Sequence, residues 1–266
     1  MSDKIRVEIA DHVATVTLNR AEKRNAVDLE MFEALKRAGD DIANDGSVRA
    51  VILGAEGDHF CAGIDISVFE GAGIGAVGAA RMQPLEDTPS NFFQAAAYVW
   101  REVPVPVIAA IEGVAFGAGL QIAAGADVRY ARPDAQFSVM EIKWGLIPDL
   151  AISATLRDAV AVDRLKELAW SGRVIDGVEA DRIGLVTAVC DDPVAQARQL
   201  ALDVAGKSPD AIRSIKRLIT DGWKQSPEQS LRLEAELQTR VMGGPNQTEA
   251  ARANIERRRP LFRDPD

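Results

Sequence analysis

The spacing of apolar positions changes three times along the chain. Ile5, Val7 and Ile9 occupy every second position, and Ala14, Val16 and Leu18 do the same against Thr15 and Thr17. Alternation of period two on either side of Ala10–His12 predicts a β-hairpin. From Asp28 the spacing becomes helical: Met31, Phe32, Leu35, Ala38 and Ile42 fall on one face, with Asp28 as the expected N-cap. A strand is predicted over Arg49–Gly54, followed by the polar turn AEGDHF. Residues 66–100 hold a Gly/Ala-rich run, GAGIGAVGAA, and the turn-forming PLEDTPS. This stretch is expected to be a mobile, partly helical excursion, either a lid over a site or a surface insertion.

Two more buried strands are predicted, at the Pro-bounded VPVPVIAAI of residues 103–111 and at DVRYA of residues 127–131. Ile152, Leu156, Val160, Leu165 and Leu168 give helical spacing, which predicts a helix over 153–170. A short strand follows at Leu185–Cys190, and beyond it the chain reads as wholly helical. Ser208-Pro209 and Ser226-Pro227 are helix starts, with serine as cap and proline in the first turn. Arg252, Arg257, Arg258 and Arg259 mark a last helix before RRPLFRDPD. No repeat of fixed period is visible. The pattern predicts an α/β fold with a helical C-terminal part, divided into a core over 1–200 and a helical region over 201–266.

The chain has 266 residues, enough for one large core. It has no charge-free run of about 18 apolar residues, so no spanning helix is expected. The charged, strand-like start MSDKIRVEIADH matches neither a secretory nor a transit leader, and cytoplasm is the expected compartment. Cys61 and Cys190 stand far apart and outside any Cys-x-x-Cys pattern, so ordinary reduced thiols are expected, with no metal site. With only His12 and His59 available, a Ser-His-Asp or Cys-His machine is disfavoured. The net charge of -9 disfavours nucleic acid as a partner but leaves room for an anionic ligand on a local basic patch.

The most unusual stretch is GVAFGAGLQIAAGAD, residues 113–127. Gly117-Ala118-Gly119 begins like a dinucleotide-binding fingerprint, but Ile122 stands where the third glycine belongs. A P-loop is disfavoured here, because this stretch contains no Gly-Lys-Ser/Thr. Two readings remain. The small residues either pack a helix tightly against a strand, or leave backbone N–H groups unshielded to hold an oxyanion. The second reading needs another donor, and HFCAGIDI, residues 59–66, offers Ala62-Gly63 after a strand. Among polar groups, Glu141 sits between Met140 and Ile142, Asp149 follows eight residues on, and Gln121 lies in an otherwise apolar helix. Each is either a surface group of a half-buried element or part of a proton-transfer site.

Taken together, LNRAEKRNAVD, HFCAGIDI, PVIAAIEGVAFGAGLQIAAGADVRYA, AQFSVMEIKWGLIPD and GLVTAV resemble the crotonase (enoyl-CoA hydratase/isomerase) family over nearly the whole chain. The resemblance implies a spiral of ββα units with a helical C-terminal region that builds trimers, often paired into hexamers. It implies an acyl-CoA thioester as substrate, no further cofactor, and neither a membrane nor a nucleic acid as partner. It also implies an oxyanion hole for the thioester oxygen, which maps here to the N–H groups of Ala62 and Ala118. Lys23, Arg24, Ala62, Asp65 and Ile66 are the expected contacts to CoA, with Lys216 and either Arg259 or Arg263 as further phosphate contacts from a C-terminal element of this chain or of a neighbouring copy. Residues 71–80 are expected to shape the acyl pocket.

The resemblance also frames the reaction. The family's hydratases use two glutamates, of which the second matches Glu141 and the first falls on Gln121, an amide that cannot take a proton from water. Some double-bond isomerases need only the glutamate at Glu141. Dienoyl-CoA isomerases add an aspartate where Asp149 stands, although that subgroup also has an aspartate at the position of Gln121. The expected activity is therefore a dienoyl-CoA or Δ3-Δ2-enoyl-CoA isomerase with Glu141 and Asp149 as the proton-transfer pair. A 2-enoyl-CoA hydratase of fatty acid β-oxidation and a non-catalytic CoA-thioester-binding homologue are the alternatives.

Overall fold

The computed structural model describes residues 3–69, 78, 81–86 and 88–265. Apart from Gly78, the Gly/Ala-rich run expected to shape the acyl pocket lies outside the described residues. β1 (Ile5–Ala10) and β2 (Val13–Leu18) form the expected antiparallel hairpin. Its turn is shorter than expected. Ala10 pairs with Val13, and Asp11 and His12 both take positive φ, 52° and 64°, as a two-residue turn matched to strand twist requires.

Parallel strands β3 (Ala50–Ala55), β4 (Val107–Ile111), β6 (Val128–Ala131) and β9 (Ala188–Val189) extend the sheet in the order β1-β2-β3-β4-β6-β9. A smaller sheet joins β5 (Val114–Phe116), β7 (Gln136–Ser138) and β8 (Ile175–Asp176) in the order β5-β7-β8. The strand expected over 103–111 begins only at Val107, and the one expected over 185–190 shrinks to two residues.

The central strands are apolar at every position because both faces are covered. Val51, Leu53, Val107 and Ala109 share a core with α1 (Leu29–Asn44) and α2 (Phe92–Glu102). Their neighbours Ala50, Ile52, Ile108 and Ala110 pack on Ala197, Ala201 and Ala205 of α7 (Pro193–Ala205). Residue 200, where the division is expected, lies within this helix. Asp28 caps α1 by accepting from the Met31 N–H. Asn91 and Gln94 cap α2 reciprocally, and the Phe93 ring meets those of Phe32 and Phe92 edge-on. The excursion expected over 66–100 therefore ends in a helix of the main core.

Further helices are α3 (Ala118–Ala124), α4 (Ile152–Thr155), α5 (Val162–Ser171), α6 (Gly177–Arg182), α8 (Pro209–Gly222), α9 (Pro227–Val241) and α10 (Pro245–Glu256). The single helix expected over 153–170 is two. The amides of Ala159 and Val160 both donate to the Leu156 carbonyl, which closes a turn between α4 and α5. Ile152, Leu156 and Val160 are nonetheless all buried. Their spacing reported burial correctly and helix continuity incorrectly. Ser208 and Ser226 cap α8 and α9 as expected.

Lys216, an expected phosphate contact, is buried and already paired within the chain. Its side chain is 7% exposed, and its ammonium pairs with Asp127 at 2.7 Å and donates to the carbonyls of Trp100 and Val105. It ties α8 to the end of α2 and to the strand region. Lys216→Met leaves these acceptors without a donor. It should cost about 3 kcal/mol of stability, read as a clear fall in thermal midpoint by circular dichroism; an unchanged midpoint would contradict this role.

Candidate active site

The segment after β3 docks on β5. The Cys61 N–H donates to the Val114 carbonyl at 2.9 Å, and the Phe116 N–H to the Cys61 carbonyl at 3.0 Å. This pairing brings HFCAGIDI beside the start of α3. Two glycines make the approach possible. A Cβ on Gly119 would lie 2.4 Å from the Cys61 carbonyl oxygen and 2.6 Å from its Cβ. Gly117 has φ +48°, and a Cβ there would meet Oε1 of Glu141 at 3.2 Å. Tight packing and an exposed backbone therefore coincide here. Burial pushes the Cys61 thiol up to about 12, so it is an inert packing group.

One of the two expected donors, Ala62, is engaged elsewhere, and the other, Ala118, is not. The Ala62 N–H is committed to the Arg24 carbonyl at 2.9 Å, so it is unavailable to a ligand. Further on, the Gly63 carbonyl accepts from the Val27 N–H, and the Asp65 N–H donates to the Val27 carbonyl. Ile64 lies between them, and in extended chain its N–H points the opposite way, away from Val27. The N–H groups of Ile64 and Ala118 have no acceptor among the described residues. Both residues line one cavity of about 360 Å³, together with Gly117, Glu141, Phe116 and Trp144. A larger cleft of about 860 Å³ between α2 and α8 is walled by Arg101, Arg157, Arg213 and Arg217 and contains none of these positions.

Gln121 is fully buried, and both ends of its amide are used. Its carbonyl accepts from the Leu150 N–H at 2.8 Å, and its Nε2 donates to Oε1 of Glu141 at 2.6 Å. Glu141 opens a single 3₁₀ turn, Glu141–Trp144, that lines the cavity. Its Oε2 is buried and receives no hydrogen bond from any described residue. Burial pushes the Glu141 carboxyl above its ordinary 4.5. The charge of Asp149 adds to that, and the Gln121 N–H opposes it. Burial also raises Asp149. Asp149 is thus close enough to act on Glu141 electrostatically, but it is not among the described residues lining the cavity.

A profile of the family described as enoyl-CoA hydratase/isomerase matches residues 8–265. The chain belongs to the enoyl-CoA hydratase/isomerase family. It is 30% identical to the enoyl-CoA hydratase EchA19 of Mycobacterium tuberculosis, over 97% of this chain and 96% of that one. It is 32% identical to a probable enoyl-CoA hydratase of Bacillus subtilis, over 97% and 98% of the two chains. Among solved structures, the enoyl-CoA hydratase of Bacillus anthracis superposes with a TM-score of 0.89 at 28% identity, covering 98% of this chain and all of the other. The mixed α/β fold with a helical C-terminal region matches that of the family.

The expected CoA contacts of this family member separate into two groups. Lys23, Ala62, Asp65 and Ile66 line the cavity, whereas Arg24 is exposed beside it. The Asp65 carboxylate is not free. The Ser67 N–H, with the Arg20 guanidinium at 2.6 Å, holds it down at about 2. Arg259 lies in another cleft, with Asp11 and His12. Sequence reasoning missed Asn25. It is buried at φ +56°, accepts from the Arg20 N–H, and donates to the carbonyls of Glu56 and His59. It thereby pins the Lys23–Arg24 loop to the segment that carries Ile64. An asparagine inside LNRAEKRNAVD was the available signal, since asparagine tolerates the left-handed region. Ile64 and Leu150 contribute only backbone, so their side chains gave none.

The close approach at Gly119 is directly testable. Gly119→Ala should wedge α3 away from Cys61. We expect a loss of about 1–3 kcal/mol in stability and weaker binding of a CoA thioester by calorimetry. Wild-type affinity and midpoint would show that the contact does not set the site.

Proposed function

We propose that this family member is an acyl-CoA double-bond isomerase that works through a thioester enolate. The thioester oxygen accepts from the N–H groups of Ile64 and Ala118. Oε2 of Glu141 takes a proton from Cα of a 3-enoyl thioester. The C–H electron pair moves into the conjugated system, and negative charge collects on the oxygen. The protonated Glu141 then returns the proton at Cγ, leaving the 2-enoyl product. Each backbone donor is worth about 3 kcal/mol at the transition state. With a dienoyl substrate, Asp149 is the second carboxylate, at the far end of the conjugated system. Lys23 and Arg24, with the loop carrying Ala62, Asp65 and Ile66, hold the CoA portion, and no other cofactor is required.

The observation carrying this reading is the double commitment of Gln121, which supports Glu141 as the lone base at the hole. A hydratase needs a water held and deprotonated, and the amide donates to Glu141 instead of accepting from water. The names of the relatives favour a second reading, 2-enoyl-CoA hydration. The free Oε2 of Glu141 argues against a purely binding role. Ile215, Ile219 and Trp223 form an exposed apolar face on and just after α8. This supports association of copies through the helical region, as the trimer or hexamer the resemblance implies.

A spectrophotometric panel on 2-enoyl-, 3-enoyl- and 3,5-dienoyl-CoA tests the assignment. Turnover of a 3-enoyl or dienoyl thioester is expected, and hydration alone would favour the second reading. Glu141→Gln should lower turnover by about 10²–10⁴. Because the base form is required and its pKa is raised, kcat/KM should fall with decreasing pH at a value above 4.5. A flat profile across that range would remove Glu141 as the base.

A further inference from the structure

Gln121 invites more than the description of a missing second glutamate. The Leu150 N–H can only donate, so the amide oxygen of Gln121 must face it, and Nε2 is left facing Glu141. Neither Gln121 nor Leu150 is exposed enough to exchange these partners for solvent, at 0% and 1%. The orientation of the amide is thus set by the backbone of the loop that follows Glu141, on the element that also carries Asp149. The carboxylate of Glu141 consequently has two unlike oxygens. Oε1 is held by Gln121, and Oε2 is buried without a donor.

We propose that Gln121 is a positioning residue, which fixes the Glu141 carboxylate through Oε1 so that Oε2 alone exchanges protons with substrate. This rests on Glu141 being the base. It gives Gln121 a role of its own in place of that of a lost catalytic base. The amide lets a buried carboxylate stay ionised and aimed, next to a cavity whose other charged groups are Lys23 and the Arg20-paired Asp65, with Asp149 acting on Glu141 from outside that lining. A hydrogen bond to the charged form favours it, and a second carboxylate at 2.6 Å would do the reverse.

The two accounts of Gln121 separate in Gln121→Glu. If Gln121 merely stands where a base is absent, this variant gains hydration of a 2-enoyl thioester. If it positions Glu141, the variant gains no hydration, and two carboxylates sharing one proton move the acid limb of kcat/KM up by about one pH unit or more. Gln121→Met, of similar length, should lower kcat at least about tenfold with a smaller change in KM, and should raise the Glu141 titration. That titration is followed in the absence of substrate by carboxyl ¹³C NMR, with the signal assigned by its loss in Glu141→Gln. Gln121→Glu retains an acceptor for the Leu150 N–H, so this variant keeps the test available if Gln121→Met does not fold. Unchanged titration in either folded variant, or hydration gained by Gln121→Glu without a shifted limb, overturns the proposal. An active Glu141→Gln protein would instead overturn the reading of Glu141 on which it rests.

Discussion

The site depends on one steric constraint, the closeness of α3 to Cys61. With no side chain at Gly119, the start of α3 rests against the Cys61 carbonyl, while β5 hydrogen-bonds the same residue from the side. Two segments far apart in sequence are thereby fixed with one free backbone N–H each, Ile64 and Ala118, on a shared cavity. Backbone donors fixed in this way need no reorganisation when charge develops on a bound oxygen, the main requirement of electrostatic catalysis. Everything around the contact keeps it rigid. Asn25 clamps the neighbouring loop, the Ala62 N–H is tied to Arg24, and Arg20 holds Asp65.

A second constraint is electrostatic. Placing a carboxylate over the start of α3 costs desolvation, and the raised pKa of Glu141 expresses that cost. The burial that makes Glu141 a stronger base also threatens to leave it protonated. Gln121 limits this by donating to Oε1, and Leu150 holds Gln121 in turn. The proton-transfer geometry is therefore distributed over α3, the Glu141 turn and the loop after it.

The family and most of the fold were legible because glycine and alanine spacing, hairpin alternation and serine caps each express a local rule. The donors were less legible. HFCAGIDI announced a backbone turn, but which amide is free depends on where Arg24 and Val27 pair with it, a long-range fact. The uncommitted amide is therefore that of Ile64 and not that of Ala62. Lys216 reads as a phosphate contact because a helical lysine is usually open to solvent, and only the tertiary structure shows its pairing with Asp127. The break between α4 and α5 was invisible for a related reason: apolar spacing records which positions are buried, and both a helix and a turn can bury them.

The central claim is that a thioester oxygen rests between the Ile64 and Ala118 N–H groups, beside Glu141. Isotope-edited infrared spectroscopy of an unreactive acyl-CoA, labelled with ¹³C at the thioester carbonyl, tests it most directly. On binding, the carbonyl stretch should move to lower frequency than in water, because two fixed donors in a half-buried cavity polarise the C=O bond. A bound thioester whose carbonyl band stays at its position in solution would contradict the account.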